Sequence, residues 1–214
     1  MKIMKQSISD QMFSILKEAI VRQRIKAGEQ INPREIAEQY GVSVMPVRDA
    51  LTRLASFGLV TIRPRVGFFA REFTPDEVRE ILEVRRLHEV YCLEHYFSQI
   101  DLDELQRIKQ DMDAYEANPT PEAFDRIDEE LHDLFLAASQ NRFLMENYQQ
   151  VKELLILIRN VDAARMRYSH VEHRKIVEAV LRGHKELAVR YLEQHLDNAR
   201  HATLRSTAAM DGLG

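Results

Sequence analysis

The 214-residue chain has one cysteine (Cys92), no tryptophan, seven glycines and six prolines. A single cysteine excludes a disulfide framework and any cysteine-rich zinc module, and it suits a reducing compartment. So few glycines and prolines argue for long helices and against a turn-rich β fold. No run approaches the roughly 18 apolar residues that a membrane span needs, so an integral membrane protein is not expected. The opening MKIMKQSISDQM has neither an apolar stretch nor a small-residue cleavage site, which points to the cytoplasm. What is present is globular in composition, 45% hydrophobic and 30% charged. That is enough for a core in one ordinary domain or two small ones.

The net charge of −4 hides an asymmetry. Residues 1–70 carry 11 Lys/Arg against 6 Asp/Glu, and the remainder carries 19 against 28. A basic head on an acidic body fits a polyanionic partner for the head alone, although a surplus of this size is also ordinary for a solvated surface.

In the head, Ile8, Met12, Ile15, Leu16, Ala19 and Ile20 recur three and four apart, which predicts one buried helical face between Ile8 and Ile25. Gly28 in IKAGEQI is expected to stop that helix. Asn32 as N-cap and Pro33 at the first position open a second helix with Ile36 and Ala37 inward, and Gly41 ends it in a left-handed conformation. Ser43 is expected to cap a third helix whose inward residues are Val47, Leu51, Leu54 and Ala55. Two short helices about a Gly-Val-Ser turn form a helix-turn-helix pattern. LVTI, a turn at Arg63-Pro64-Arg65 and GFFA then predict a two-stranded wing. A helix of this length fits a DNA major groove, with its outward N-terminal residues reaching base edges.

Thr74-Pro75-Asp76-Glu77 is a strong helix start. Helical periods run from there over 75–99, 101–117, 121–139, 142–160, 165–183 and 185–206, with a loose tail after them. Asp128 and His132 lie four apart, on one helix face, beside the apolar Ile127, Leu131 and Phe135. His173 shares an apolar stripe with Ile176, Val177 and Val180, and His195 one with Tyr191, Leu192 and Leu196. A buried carboxylate needs a cation or donors nearby. One Asp and three His facing a bundle core suit a divalent transition metal, zinc above all, with nickel or another ion possible, and leave coordination positions open for a carboxylate. An inward histidine is also commonly a satisfied core residue, and spacing alone leaves both readings open.

The stretch IKAGEQINPREIAEQYGVSVMPVRDALTRLASFGLVTIRPRVGFFA resembles the winged helix of the GntR transcription regulators. The shared landmarks are the AGEQI turn, REIAEQYGVS, PVRDALTRL, GLV and the closing Gly67. The resemblance implies DNA contacts by Arg34 and Arg48, with Ser43, Met45 and Pro46 at the recognition-helix start and Gly67 letting the wing approach the minor groove. Many members have arginine where this chain has Val44. A valine offers guanine no hydrogen bonds, so either the operator differs there or Val44 meets a thymine methyl. Arg48 has an alternative role as a surface ion pair with Asp49 or Glu35.

The body resembles the FCD effector-binding domain of the FadR branch, through DEELH, the asparagine of ASQN, EHRKIVEAV and EQHL. The resemblance implies that Asp128, His132, His173 and His195 are metal ligands, with His170 the nearest wrong choice. Six helices look like the shorter VanR type. Arg85, with Glu89 at the family's acidic position, is then expected to line the effector cavity, with Arg159 a second candidate, and His88 stands where leucine is usual. The expected fold is mainly α: a winged helix-turn-helix over 1–72, an all-α helical FCD bundle over 73–207 and a loose tail over 208–214. The expected function is a homodimeric regulator, by default a repressor and not an enzyme. It binds a palindromic double-stranded operator and senses a small carboxylate through the metal. The competing readings are the same regulator with a structural or absent metal and an apolar effector, and a metal-dependent enzyme carrying a DNA-binding head.

Overall fold

A computed structural model describes residues 7–158 and 163–211. The fold is mainly α, with helix α1 (Ile8–Val21), strand β1 (Gln30–Ile31), helices α2 (Pro33–Tyr40) and α3 (Val44–Ser56), and strands β2 (Val60–Arg63) and β3 (Gly67–Ala70) in the head. Helices α4 (Pro75–His95), α5 (Leu102–Ala117), α6 (Pro121–Ala137), α7 (Arg142–Ile158), α8 (Ala163–Leu181) and α9 (Lys185–Asp211) follow.

Local chemistry explains most boundaries. Ser7 and Asp10 form a reciprocal capping box on α1, and Thr74 and Glu77 do the same on α4. Asn32 accepts from Arg34 N at the start of α2, and Gly41 closes that helix at φ +64°. The end of α1 differs from expectation. The helix stops at Val21, where Gln23 takes a positive φ of 55°. Gln23 N donates to Ile20 O and Arg24 N to Ala19 O, at 3.0 and 2.8 Å. This is a Schellman arrangement built without glycine, so Gly28 serves the next turn and not this helix.

The wing is also larger than expected. β1, from the AGEQI segment, adds to the predicted hairpin, and the antiparallel sheet runs β1-β3-β2. Ile31 faces Phe68, and Ile62 faces Phe68 from the other side. The head core gathers Met12, Leu16, Ile20, Val47, Leu51, Leu54, Leu59 and Phe68, all buried.

The chain divides into two compact units, and α7 contributes to both. Lys152–Ile158 belong with the head up to Phe73, and residues 74–151 belong with the helices that follow. In the first unit Leu157 packs on the head core and Lys17 Nζ meets the buried Glu153 at 2.5 Å. In the second, α4, α5, α6, α8 and α9 enclose a core of Leu93, Leu105, Ile108, Met112, Leu131, Phe135, Ile176, Val177 and Leu192.

Among the helices of the second unit, the ends of α4 and α9 move furthest from expectation. α4 gives way to a 3₁₀ turn at Phe97–Gln99, and α9 continues to Asp211, through residues read from sequence as a loose tail. The stretch from Ser206 to Asp211 holds no glycine or proline, so nothing in it breaks a helix.

Candidate functional site

In the head, α2, α3 and the wing border a groove of about 780 Å³. Arg34 and Arg48 line it together with Val44 and Gly67. Both arginines are exposed, and neither makes an ion pair among the described residues. The Arg48 guanidinium lies 5.6 Å from the Phe68 ring centroid, an aromatic face that orients it without consuming its hydrogen-bond donors. Ser43 stands at the N-cap of α3 but makes no capping bond. The third helical residue is Pro46, which has no N–H to give, so the usual capping partner is missing. Ser43 and Met45 are exposed, with Met45 63% accessible. Gly67 has φ +141°, and a Cβ there would lie 3.2 Å from Gln30 Nε2. That amide bonds Val66 O and ties β1 to the wing turn. Arg63 and Arg65 line the same groove. The sequence reading saw them only as a turn, although two arginines flanking a proline in a basic head were the available signal.

In the body, the four predicted ligands converge. Asp128 and His132 come from α6, His173 from α8 and His195 from α9, and all are buried. One ligand atom from each lies within 4.8 Å of all the others. His173 Nε2 and His195 Nε2 are 3.2 Å apart, His173 Nε2 and Asp128 Oδ1 3.5 Å, and His132 Nε2 and Asp128 Oδ1 3.9 Å. Ligands about 2.0–2.1 Å from a tetrahedral zinc stand about 3.3 Å from one another, so the set is close to the right size. His132 Nε2 is buried with no hydrogen-bond partner. A buried polar atom without a partner is costly, and a cation among these four groups removes the cost. The residues therefore fit a divalent metal.

Carboxylates stand behind two of the histidines. His195 Nδ1 faces Glu172 Oε2 at 2.8 Å, and Glu172 is also held by Arg165 and Asn198. His132 Nδ1 lies 2.7 Å from Glu89 Oε2, a close approach that is not aligned as a hydrogen bond. Arg85 Nε and Tyr148 Oη both donate to Glu89 Oε1, at 2.8 and 2.5 Å. Burial alone would raise the Glu89 carboxyl, but Arg85, His132 and Tyr148 hold it well below the carboxylate range. Burial pushes His195 down to about 4, with His132 and Arg85 adding to it against the pull of Glu172. His195 is thus a neutral ring with a lone pair to offer at neutral pH.

Arg85, expected to line an effector cavity, pairs with the fully buried Glu89, which matches its charge. Arg159 lies outside the described residues. The remaining histidines sit elsewhere. His170 bonds Glu116 at 3.0 Å, and His88, His95 and His201 each bond a carbonyl one turn back. Tyr148 and Glu172 were missed from sequence. A tyrosine on a separate helix carries no spacing signal, and Glu172 was read only as part of the EHRKIVEAV match.

A winged helix with a cationic groove, joined to a helical domain with a buried Asp/His₃ cluster, is the architecture of a DNA-binding regulator. The chain matches "Bacterial regulatory proteins, gntR family" over residues 8–70 and "FCD domain" over residues 80–198. It belongs to the GntR family of bacterial regulators, with a C-terminal FCD domain, and is a DNA-binding transcription regulator and not an enzyme. Among its relatives, the HTH-type transcriptional regulator YdhC of Bacillus subtilis is 28% identical over 195 residues, 88% of this chain and 87% of that protein. The HTH-type transcriptional repressor RspR of Escherichia coli is 25% identical over 186 residues, 85% of this chain and 78% of that one. The Zn²⁺-bound FCD domain of TM0439, also solved metal-free, is 34% identical and covers 63% of this chain and 96% of its own, with TM-score 0.58. A GntR regulator from Rhodococcus sp. RHA1 shares the fold over 93% of this chain and 98% of its own, at TM-score 0.78 and 21% identity. No helix among the described residues is long and apolar enough to cross a membrane.

Proposed function

We propose that this protein is a cytoplasmic, homodimeric repressor of the FadR branch, of the six-helix VanR type, that releases or grips its operator in response to a small organic acid. The observation that carries the reading is the buried convergence of Asp128, His132, His173 and His195, with an imidazole nitrogen of His132 lacking any hydrogen bond. Those four residues would hold a divalent metal, zinc in the first instance. The zinc-bound FCD domain of TM0439, at 34% identity, supports that choice. Bound there, the ion supplies electrostatic and Lewis-acid attraction for a carboxylate oxygen. Arg85 and Arg159 are the cationic candidates for the rest of the effector. Since Glu89 already balances Arg85, Arg85 contributes donors and orientation and no surplus charge.

At the head, Arg34 and Arg48 reach DNA, with Ser43, Val44, Met45 and Pro46 presenting the start of α3 and Gly67 the wing. One recognition helix reads a half-site, so a two-fold dimer on a palindrome supplies the specificity a monomer lacks. Val84, Leu87 and Tyr91 form an exposed apolar stripe on α4 that a second copy would cover. Relatives named as repressors favour negative control. Effector binding that prefers one placement of the two heads changes operator affinity by its differential binding energy.

Selection of genomic DNA fragments by the purified protein tests the reading. One enriched palindrome, lost with Arg48→Ala, is the expected result. No enrichment, with or without added zinc and candidate acids, would overturn it.

A further inference from the structure

One carboxylate at the cluster has a role that ligand geometry alone does not assign. Glu172 precedes a ligand in sequence, and adjacent helical residues point about 100° apart, so it cannot share the direction of His173. It reaches across to α9 instead. Its Oε2 accepts from His195 Nδ1 at 2.8 Å and from Arg165 Nη2 at 2.9 Å. Its Oε1 accepts from Asn198 Nδ2 at 2.8 Å and Arg165 Nη1 at 3.2 Å. Four donors from three side chains on two helices leave this carboxylate little freedom. Arg165, two turns back on α8, grips it with both ends of the guanidinium fork. The imidazole it touches is 2% exposed and presents its other nitrogen to His173 Nε2, 3.2 Å away.

We propose that Glu172 is the positioning residue of the metal centre: it holds His195 as the tautomer protonated on Nδ1, so that Nε2 offers a bare lone pair toward Asp128 and His173. This rests on reading the cluster as a metal site. A carboxylate behind a ligating imidazole fixes ring orientation and raises its basicity, and losing such a partner costs about 10–100-fold in metal affinity. Glu89 stands behind His132 in a comparable place, but its approach is out of line and it is fully buried, so Glu172 gives the cleaner test.

Full-length protein stripped with a chelator is titrated with zinc alone against a chromophoric competitor. Binding to the cobalt(II) form is followed by its visible spectrum. Glu172→Gln is expected to weaken zinc about 10–100-fold and to alter the cobalt spectrum, while the metal-free melting temperature stays close to the wild type. Glu172→Asp should recover part of the affinity. A purely structural Glu172 would show the reverse, a lower metal-free melting temperature with unchanged zinc affinity, and that result overturns the proposal. Should Glu172→Gln fail to fold, Asn198→Ala at an exposed position carries the test. A few-fold loss of zinc affinity supports the positioning role, and none rejects it. Wild-type protein that binds no zinc would overturn the metal reading itself, a different failure from an unaffected variant.

Discussion

At the scale of single residues, the two proposed sites use opposite strategies. The metal cluster buries its ligands and relies on a fixed cage, whereas the DNA groove keeps its arginines exposed and in want of partners. His132→Ala and His173→Ala each remove one of the four proposed ligands. Either variant should fold, as judged by circular dichroism, yet lose the bound metal by elemental analysis and the response to effector. A variant that kept its response would sink the metal's role. Arg48→Ala deletes a guanidinium poised by Phe68 and should weaken operator binding by about 1–3 kcal/mol, read in a gel-shift titration at fixed salt. A uniform loss across all sequences would assign Arg48 to phosphate, and a loss confined to the operator would assign it to a base.

Among the elements, helix starts separate stability from function. Thr74 closes a capping box with Glu77, with Thr74 N donating to Glu77 Oε2 at 2.9 Å. Thr74→Ala should therefore cost about 1 kcal/mol in chemical denaturation. Ser43 occupies the same position on α3 without a capping bond, because Pro46 lacks the donor. Ser43→Ala should cost a small fraction of that in stability while still weakening DNA binding. Equal stability losses in the two variants would show that Ser43 caps after all. Gly41 has φ +64° with nothing within 4 Å of a built Cβ, so Gly41→Ala carries backbone strain alone, on the order of 1 kcal/mol.

For the whole molecule, pH and metal act on the same cluster. His195 has an ordinary value of 6.5 and is pushed to about 4 when folded, chiefly by burial. Between those values the unfolded chain binds the extra proton, so stability is full above pH 6.5 and is lost as pH falls through 4. Glu172 and His173 touch this ring, Asp128, His132 and Arg85 act on it through charge, and a bound zinc would compete with the same proton. The melting temperature of chelated protein should fall between pH 6.5 and 4, and saturating zinc should raise it throughout the neutral range. The free energy of unfolding is expected to rise by about 4 kcal/mol at a free zinc concentration a thousandfold above the dissociation constant. A metal-free curve flat over that window would contradict the buried, neutral His195.

Much of this was legible in the residues. Apolar spacing, Asn32, Gly41, Thr74 and the acidic first turn of α4 specify helices through contacts within one or two turns. Asp128 and His132 announce a shared face because four residues are one turn of helix. The sequence alone could not say that Gln23 ends α1 in a left-handed turn, since glutamine carries no preference for that backbone, or that Gln30–Ile31 add a third strand to the wing, since the partner strand lies far along the chain. Nor could it say which carboxylates stand behind which histidines. Local sequence determined the helices, their inward faces and the basic head, because those follow from short-range spacing and charge. Only the tertiary structure brought α6, α8 and α9 together, set Glu172 against His195 and spent the charge of Arg85 on Glu89, because such pairings are decided by how packed helices turn their faces toward one another.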